Sequence, residues 1–318
     1  MAGIYDQKIL RENVPVPVET VNEIIQEAPK QSLALSEMRQ VRMSSKTRKQ
    51  PVLASLPVAF WVDGDTGLKQ TTKATWDNVV MTAEELAVLV PVPNAVIDDS
   101  NMPIWENVRP LVVEAIGNKL DAATIFGVDK PSTWPTALVP AAVAAGNTLA
   151  AGTYKDYGAD VAALAGLVAA DGFSVTGFAS APGLNWKLIG QRDANGQPIY
   201  GNPMAAGQPG TLYGYQLNEV LNGAWKADVA ELIAADWSKF VVGIRQDITF
   251  DLFDQMVISD DDGKVIFNAP QQDSKVLRVV FRVGFQVANP LTRVSDGDAS
   301  KRYPAGVLTP AAGAGSEG

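Results

Sequence analysis

Between residues 101 and 127, apolar side chains return at every third or fourth position: Ile104, Val108, Leu111, Val112, Ala115, Ile116, Leu120 and Ala123. That spacing lines one stripe of an α-helix. Asn101 is placed to cap it, Pro103 suits its first turn and Gly127 ends it. At ~1.5 Å per residue the predicted helix is roughly 35–40 Å long, enough to cross a domain. Pro110 should kink it unless a second segment starts there. A shorter period governs 276–287, where Leu277, Val279, Phe281, Val283 and Phe285 alternate with Arg278, Val280, Arg282 and Gly284. This predicts a half-buried strand with the two arginines on its exposed side. A second, Ala-rich helix is predicted over 156–172, with Val161, Leu164, Ala165 and Val168 on one face. Strands are expected over 173–182 and 211–220, and as a pair around the Asp236–Ser238 turn within 230–254. Residues 183–200 open with a short helix before an Asn-Gly turn, 128–150 read as irregular, and 18–29 form a short amphipathic helix fenced by prolines.

The most unusual pattern lies in 51–97, which reads as β. Two arms rich in Val and Leu, VLASLPVAFWV and VVMTAEELAVLVPV, flank a polar middle, FWVDGDTGLKQTTKATW (60–76). Phe60 and Trp61 lead in, Trp76 leads out, and Gly64, Asp65 and Gly67 supply turn chemistry. With ~12–15 residues per arm, such a ribbon projects on the order of 40 Å. Two strands cannot bury a face between them, so the ribbon must lie either on its own domain or on another molecule.

The length of 318 residues admits one large domain or two, and 47% apolar with 19% charged residues suits a sizeable core. No apolar run approaches the ~20 residues of a membrane span, and MAGIYDQKILREN lacks a secretory apolar stretch. A cytoplasmic protein, or one assembled from the cytoplasm, is expected. The chain has neither cysteine nor histidine. That removes disulfides, thiolate chemistry, zinc-thiolate sites, the Ser-His-Asp triad and the usual general base. The net charge of −9 argues against a protein that wraps nucleic acid by phosphate neutralisation. One segment runs the other way: Arg39, Arg42, Lys46, Arg48 and Lys49 carry five positive charges with no acid between them. It is either a solvated basic linker or a contact with something acidic, a neighbouring subunit or DNA.

The chemical motifs fail on spacing. GAGSEG (313–318) fits a dinucleotide pattern but has no helix after it. DGDTG (63–67) has Ala74 where a calcium loop needs its bidentate Glu. SDGDASKRY (295–303) fails similarly, SDDDGK (259–264) reads as a solvated turn, and Glu84 and Glu85 face opposite sides of a strand. No catalytic residue, cofactor or metal is expected.

The order of elements is informative: N-terminal arm, long ribbon, LAVLVPVPNAVIDDS, long helix, α/β region, terminal strand. LAVLVPVPNAVIDDSNMPIWENVRPLVVEAIGNKLDAATIFG (86–127), LYGYQLNEV (212–220) and ADWSKFVVGIRQDITFDLFDQ (235–255) leading to KVLRVVFRVGFQVANP (275–290) carry the likeness. Over nearly its whole length the chain resembles the major capsid proteins of tailed double-stranded DNA bacteriophages, the Hong Kong 97-type fold. The resemblance implies an α+β fold. Its parts would be an N-terminal arm (1–50), an extended loop with peripheral-domain strands (51–97), a spine helix (98–130), an axial domain (131–250), peripheral return strands (251–305) and a flexible tail (306–318).

The resemblance further implies that the ribbon lies across an adjacent subunit. Asp63, Lys69 and Lys73 would then meet that neighbour, while Phe60, Trp61 and Trp76 anchor either under the neighbour or within their own subunit. Arg39, Arg42, Lys46, Arg48 and Lys49 become candidate contacts of the N-terminal arm. Lys69 sits where some members carry a crosslinking lysine. The strand 276–287 has no acid to serve as the catalytic glutamate of that crosslink, so a noncovalent shell is expected. The implied partners are further copies of the chain in hexamers and pentamers of an icosahedral shell, a portal, a scaffold or decoration protein, and double-stranded DNA held weakly on the inner face. The implied location is the virion, with assembly in the bacterial cytoplasm. Two alternatives stand beside this reading: an encapsulin-like compartment shell and a histidine-free carboxylate hydrolase.

Overall fold

The computed structural model describes residues 32–55, 71–72, 75–100, 103–154, 156–192, 195–197, 200, 210–260, 262–289, 292–294 and 299–311. The helix expected over 18–29 and the cap at Asn101 lie outside them. The described chain divides into two compact units, one built from 84–116 and 246–283, the other from 32–83, 117–245 and 284–311.

The long apolar stripe forms α3 (Ile104–Asp121), preceded by α1 (Leu33–Glu37) and α2 (Asn94–Asp99) and closed by a π-helical turn over Ala122–Phe126. Gly127 ends it at φ 77°, where its own N–H and that of Val128 reach the carbonyls of Ala123 and Ala122. Pro110 lies inside α3, which runs through it as one element. Val112, Ile116, Leu120 and Ala123 are buried as the spacing predicts, but Leu111 is 49% exposed.

A five-stranded sheet runs in the order β1-β9-β12-β3-β2, with β1 at Arg39–Arg42, β2 at Thr47–Ser55, β3 at Thr75–Pro93, β9 at Phe240–Phe253 and β12 at Ser274–Val287. β1 and β2 are its two edges, and only residues 43–46 join them. That short connection packs down on β9, where Gly243 leaves room for Met43, while Gly284 on β12 admits the close approach of β3 at Met81 and Thr82. A side chain at Gly243 would sit 2.5 Å from the Met43 sulfur and 2.6 Å from the Met81 methyl, and one at Gly284 2.8 Å from the Thr82 carbonyl. Met43, Met81, Ala83 and Val241 form the resulting cluster. On β12 the alternating residues Leu277 to Phe285 are buried and Arg282 is exposed, as predicted. Val280 and Gly284 are buried too, because β12 is central and neighbours cover both faces. Arg282 pairs with Glu85 at 2.6 Å, and Arg278 pairs with Asp251 at 3.0 Å while lying 4.8 Å over the Phe253 ring. A separate hairpin, β10 (Val257–Ser259) with β11 (Val265–Asn268), packs Ile258 and Phe267 against Ala269, Val276, Leu89 and Met256.

The second large sheet runs β4-β13-β8-β5-β7-β6, with β4 at Thr148–Ala150, β5 at Gly177–Ser180, β6 at Thr211–Leu212, β7 at Tyr215–Glu219, β8 at Leu232–Ala235 and β13 at Ala305–Thr309. Four expectations are corrected here. Residues 128–150 are not irregular: α4 (Leu138–Ala145) forms, because Pro140 falls in its first turn, where a missing N–H costs nothing. The strands either side of Asp236–Ser238 are not a pair, since β8 joins this sheet and β9 the other. Residues 306–309, expected within a flexible tail, belong to β13, with Ala305, Val307 and Leu308 fully buried. The strand expected over 211–220 is a tight hairpin, β6 and β7, turning at Tyr213 and Gly214. α5 (Tyr157–Ala170) lays Val161, Leu164 and Val168 on the sheet, where a side chain at Gly306 would stand 3.0 Å from Leu164. Each such fully buried aliphatic side chain contributes about 1.5–3 kcal/mol. α6 (Leu184–Ile189) adds Leu184 and Leu188 to the same core.

Candidate functional site

The ribbon begins where β3 leaves the five-stranded sheet. Met81 is buried at 3% exposure, whereas its neighbour Val80 is 42% exposed. Outward from that point, among the described residues, β3 pairs with β2: Lys49 with Val80, Pro51 with Asn78, Leu53 with Trp76 and Ser55 with Thr75, with an irregularity between Leu53 and Ser55. Lys49, Pro51 and Asn78 are also exposed. The root is tied down by the Gln286 side-chain amide, which donates to the Val80 carbonyl at 2.7 Å, and by the Trp134 indole N–H, which donates to the Thr82 carbonyl at 3.2 Å. Of the ribbon residues singled out in the sequence, Phe60, Trp61, Asp63, Lys69 and Lys73 lie outside the described residues, and Trp76 stands on β3 opposite Leu53.

The five basic residues fall along the chain that joins the two sheet edges. Arg39 and Arg42 are exposed on β1, Lys46 is exposed in the turn, and Arg48 and Lys49 are on β2. The Arg48 guanidinium donates to the Arg42 carbonyl at 2.9 Å, so the fold gathers residues from both edges into one basic strip.

A further feature anchors the start of this strip, and the sequence reading missed it. Asp121, the last residue of α3, has no exposed surface, and its carboxylate accepts four hydrogen bonds. The Ser32 hydroxyl donates to Oδ1 at 2.7 Å and the Ala34 N–H to the same oxygen at 2.9 Å. The Leu33 N–H donates to Oδ2 at 2.9 Å and the Asn222 amide to Oδ2 at 2.6 Å. Helix α1 thus presents its unpaired N-terminal N–H groups to a carboxylate 87 residues away in sequence. Ser32 also caps α1 by accepting from the Leu35 N–H at 3.3 Å. Burial pushes the Asp121 carboxyl above the usual carboxylate range, and the four donors pull against that rise. The one signal in the sequence is an acid lying next to the apolar stripe of α3; its partners cannot be read from local pattern.

The larger unit also holds a cavity of about 300 Å³ lined by Tyr157, Leu188, Tyr200, Leu212 and Tyr213. The Tyr200 and Tyr213 hydroxyls donate to the Thr211 and Gly158 carbonyls at 2.7 and 2.9 Å. Burial pushes all three tyrosine hydroxyls upward, so they stay protonated near neutral pH. Among the described residues no group of three or more carboxylates gathers to hold a metal ion.

Comparison with known proteins joins these features to a family. The model of the family described as "Phage capsid family" matches residues 12–291. A solved structure from Microbacterium phage Oxtober96 is similar, with a TM-score of 0.81 and 38% identity, over 97% of this chain and 100% of that one. The major capsid protein of Klebsiella oxytoca phage phiKO2 is 26% identical over 267 residues, 78% of this chain. The major capsid protein of Staphylococcus phage 80alpha is 31% identical over 108 residues, 34% of this chain. The matches span 59% and 33% of the lengths of these two curated relatives.

Proposed function

Because the chain belongs to the phage capsid family and has its Hong Kong 97-type α+β fold, we propose that it is the structural subunit of an icosahedral phage shell. Copies assemble into hexamers and pentamers, and the closed shell encloses double-stranded DNA. The family is one of structural proteins, and function in this reading resides in surfaces. The observation that carries it is the β2–β3 ribbon, which among the described residues runs outward from the exposed Val80 as a pair of strands. Two strands without a third layer are marginal in water, and an adjacent copy supplies that layer. Asp63, Lys69 and Lys73 meet the neighbour, with Phe60, Trp61 and Trp76 anchoring the base.

The peripheral region holds α3 and the return strand β12; the axial region holds the six-stranded sheet with α4, α5 and α6. The net charge of −9 fits a container whose wall grips its genome weakly, since many phosphate contacts would make packaging strongly salt-dependent. A portal, a scaffold or decoration protein and assembly in the host cytoplasm complete the proposed setting.

Negative-stain microscopy of the purified protein tests the reading. Closed shells or capsomers are the expected result. A uniform monomer at all concentrations opposes it, and shells filled with protein in place of nucleic acid would indicate a cargo compartment.

A further inference from the structure

The β10–β11 hairpin stands outside both large sheets as a two-stranded sheet of its own. Its inner face is accounted for by Ile258 and Phe267. Its outer face carries Val257 at 50%, Ile266 at 44% and Val265 at 53% exposure, where a solvated strand face is ordinarily polar. The two strands are joined through a turn that includes Asp260 and Asp262. Asp260 closes that turn by accepting from the Lys264 N–H at 2.7 Å, which leaves its charge at the tip, and Asp262 is exposed beside it. The element therefore combines an apolar wall with an acidic tip. The chain also carries the complementary partner, the exposed basic strip of Arg39, Arg42, Lys46 and Lys49, with Arg48 folded onto it.

We infer that the β10–β11 hairpin docks on a second copy of this chain, Asp260 and Asp262 at its tip against the neighbour's Arg42–Lys49 strip and its Val257/Val265/Ile266 wall buried beside it. The inference rests on the shell reading, which supplies the second copy, and it adds a contact distinct from the ribbon. Opposite charges facing each other across a subunit boundary select register and speed association, while the apolar wall supplies the burial. The rival explanation of the basic strip is edge protection: lysine and arginine on the two edge strands discourage unwanted strand pairing. Edge protection requires no acidic counterpart and leaves the apolar wall of the hairpin without a role.

The test uses particles assembled from a mixture of ¹⁴N- and ¹⁵N-labelled chains, treated with a carbodiimide that joins carboxylates to lysines. Mass spectrometry should find Asp260 or Asp262 linked to Lys46 or Lys49 in mixed-isotope pairs, which only contact between copies produces. In parallel, D262K and K49D should each raise the protein concentration needed for assembly at least about tenfold at low salt, and the double exchange should restore much of the loss. The variant I266S should weaken assembly without lowering the unfolding temperature, because the site is solvent-exposed in the free subunit. Shells that form while the crosslinks are absent, or occur within single-isotope pairs only, overturn the inference and leave the shell reading standing. Normal assembly of both D262K and I266S does the same. Absence of shells from the unmodified protein overturns both.

Discussion

Replacing Asp121 tests whether a buried carboxylate holds the start of the described chain. In D121A the Leu33 and Ala34 N–H groups, the Ser32 hydroxyl and the Asn222 amide all lose their acceptor. Hydrogen bonds to a charged acceptor are each worth about 1.5–3 kcal/mol, and removing the desolvated charge returns part of their sum. The net local loss is on the order of 2–4 kcal/mol. D121N is more informative, because each carboxylate oxygen accepts two donors. Whichever way the amide turns, its NH₂ faces two N–H or O–H groups. The better orientation places NH₂ at the Oδ1 position, where the Ser32 hydroxyl can rotate to accept and only the Ala34 N–H is stranded. That variant should lose about 1–3 kcal/mol, the cost of one orphaned donor.

The assay is amide hydrogen exchange at Leu33 and Ala34 on assembled protein. A loss of 2 kcal/mol in the local opening energy corresponds to about 30-fold faster exchange. The pH dependence has a definite sign. Burial raises the folded pKa of Asp121 above its ordinary 3.8, so the folded state holds this proton more tightly than the unfolded state. The associated stability is fully present below the unfolded value and is lost as pH rises through the raised folded value. The difference in stability between wild type and D121N should therefore fall with rising pH across that window. Unchanged exchange at Leu33 and Ala34 in D121A, or a difference that grows with pH, would refute the reasoning.

Three further outcomes are expected. G284A should lower the unfolding temperature more than G243A, because the new methyl meets the Thr82 carbonyl in one case and flexible methionine ends in the other; overpacking of this kind costs about 1–3 kcal/mol, read by differential scanning calorimetry. N147D should destabilise more than N147A: the Asn147 amide donates to Asp171 at 2.7 Å and to the Tyr303 and Ala305 carbonyls, so a carboxylate there would face another carboxylate and two carbonyls. N147A should cost about 1–3 kcal/mol in the same measurement. For the Arg282–Glu85 pair, whose side chains are 50% and 46% exposed, a double-mutant cycle should give a coupling below about 1 kcal/mol that shrinks with salt.

What could be read in the sequence follows from the range of the interactions that decide each element. α3, α5 and β12 bury a stripe or a face set by their own periodicity, so Val112, Ile116, Leu120, Val161, Leu164 and Phe285 were recognisable as core positions. The strands β2 and β3 at the root of the ribbon were legible from their Val- and Leu-rich runs on either side of turn residues. β13 was not: five short residues between Pro304 and Pro310, one of them a glycine, carry little pattern, and their burial is imposed by β4, β8 and α5. The strands flanking Asp236–Ser238 were found, but which sheet each joins depends on partners far along the chain. Leu111 has the right spacing for the stripe of α3 and is nevertheless exposed, since period alone does not tell how much of a helix is covered. Asp121 was invisible as an anchor because Ser32 and Asn222 lie 89 and 101 residues away.

The central claim is that one copy of this chain is incomplete and that its ribbon finds its burial on the next. Cryo-electron microscopy of particles assembled from the purified protein measures this directly. The account predicts closed shells in which density for residues 60–76 continues from β2 and β3 over an adjacent copy, with Lys69 and Lys73 against that copy's surface. Shells in which that segment folds back on its own subunit, or a protein that stays monomeric under every assembly condition, would contradict it.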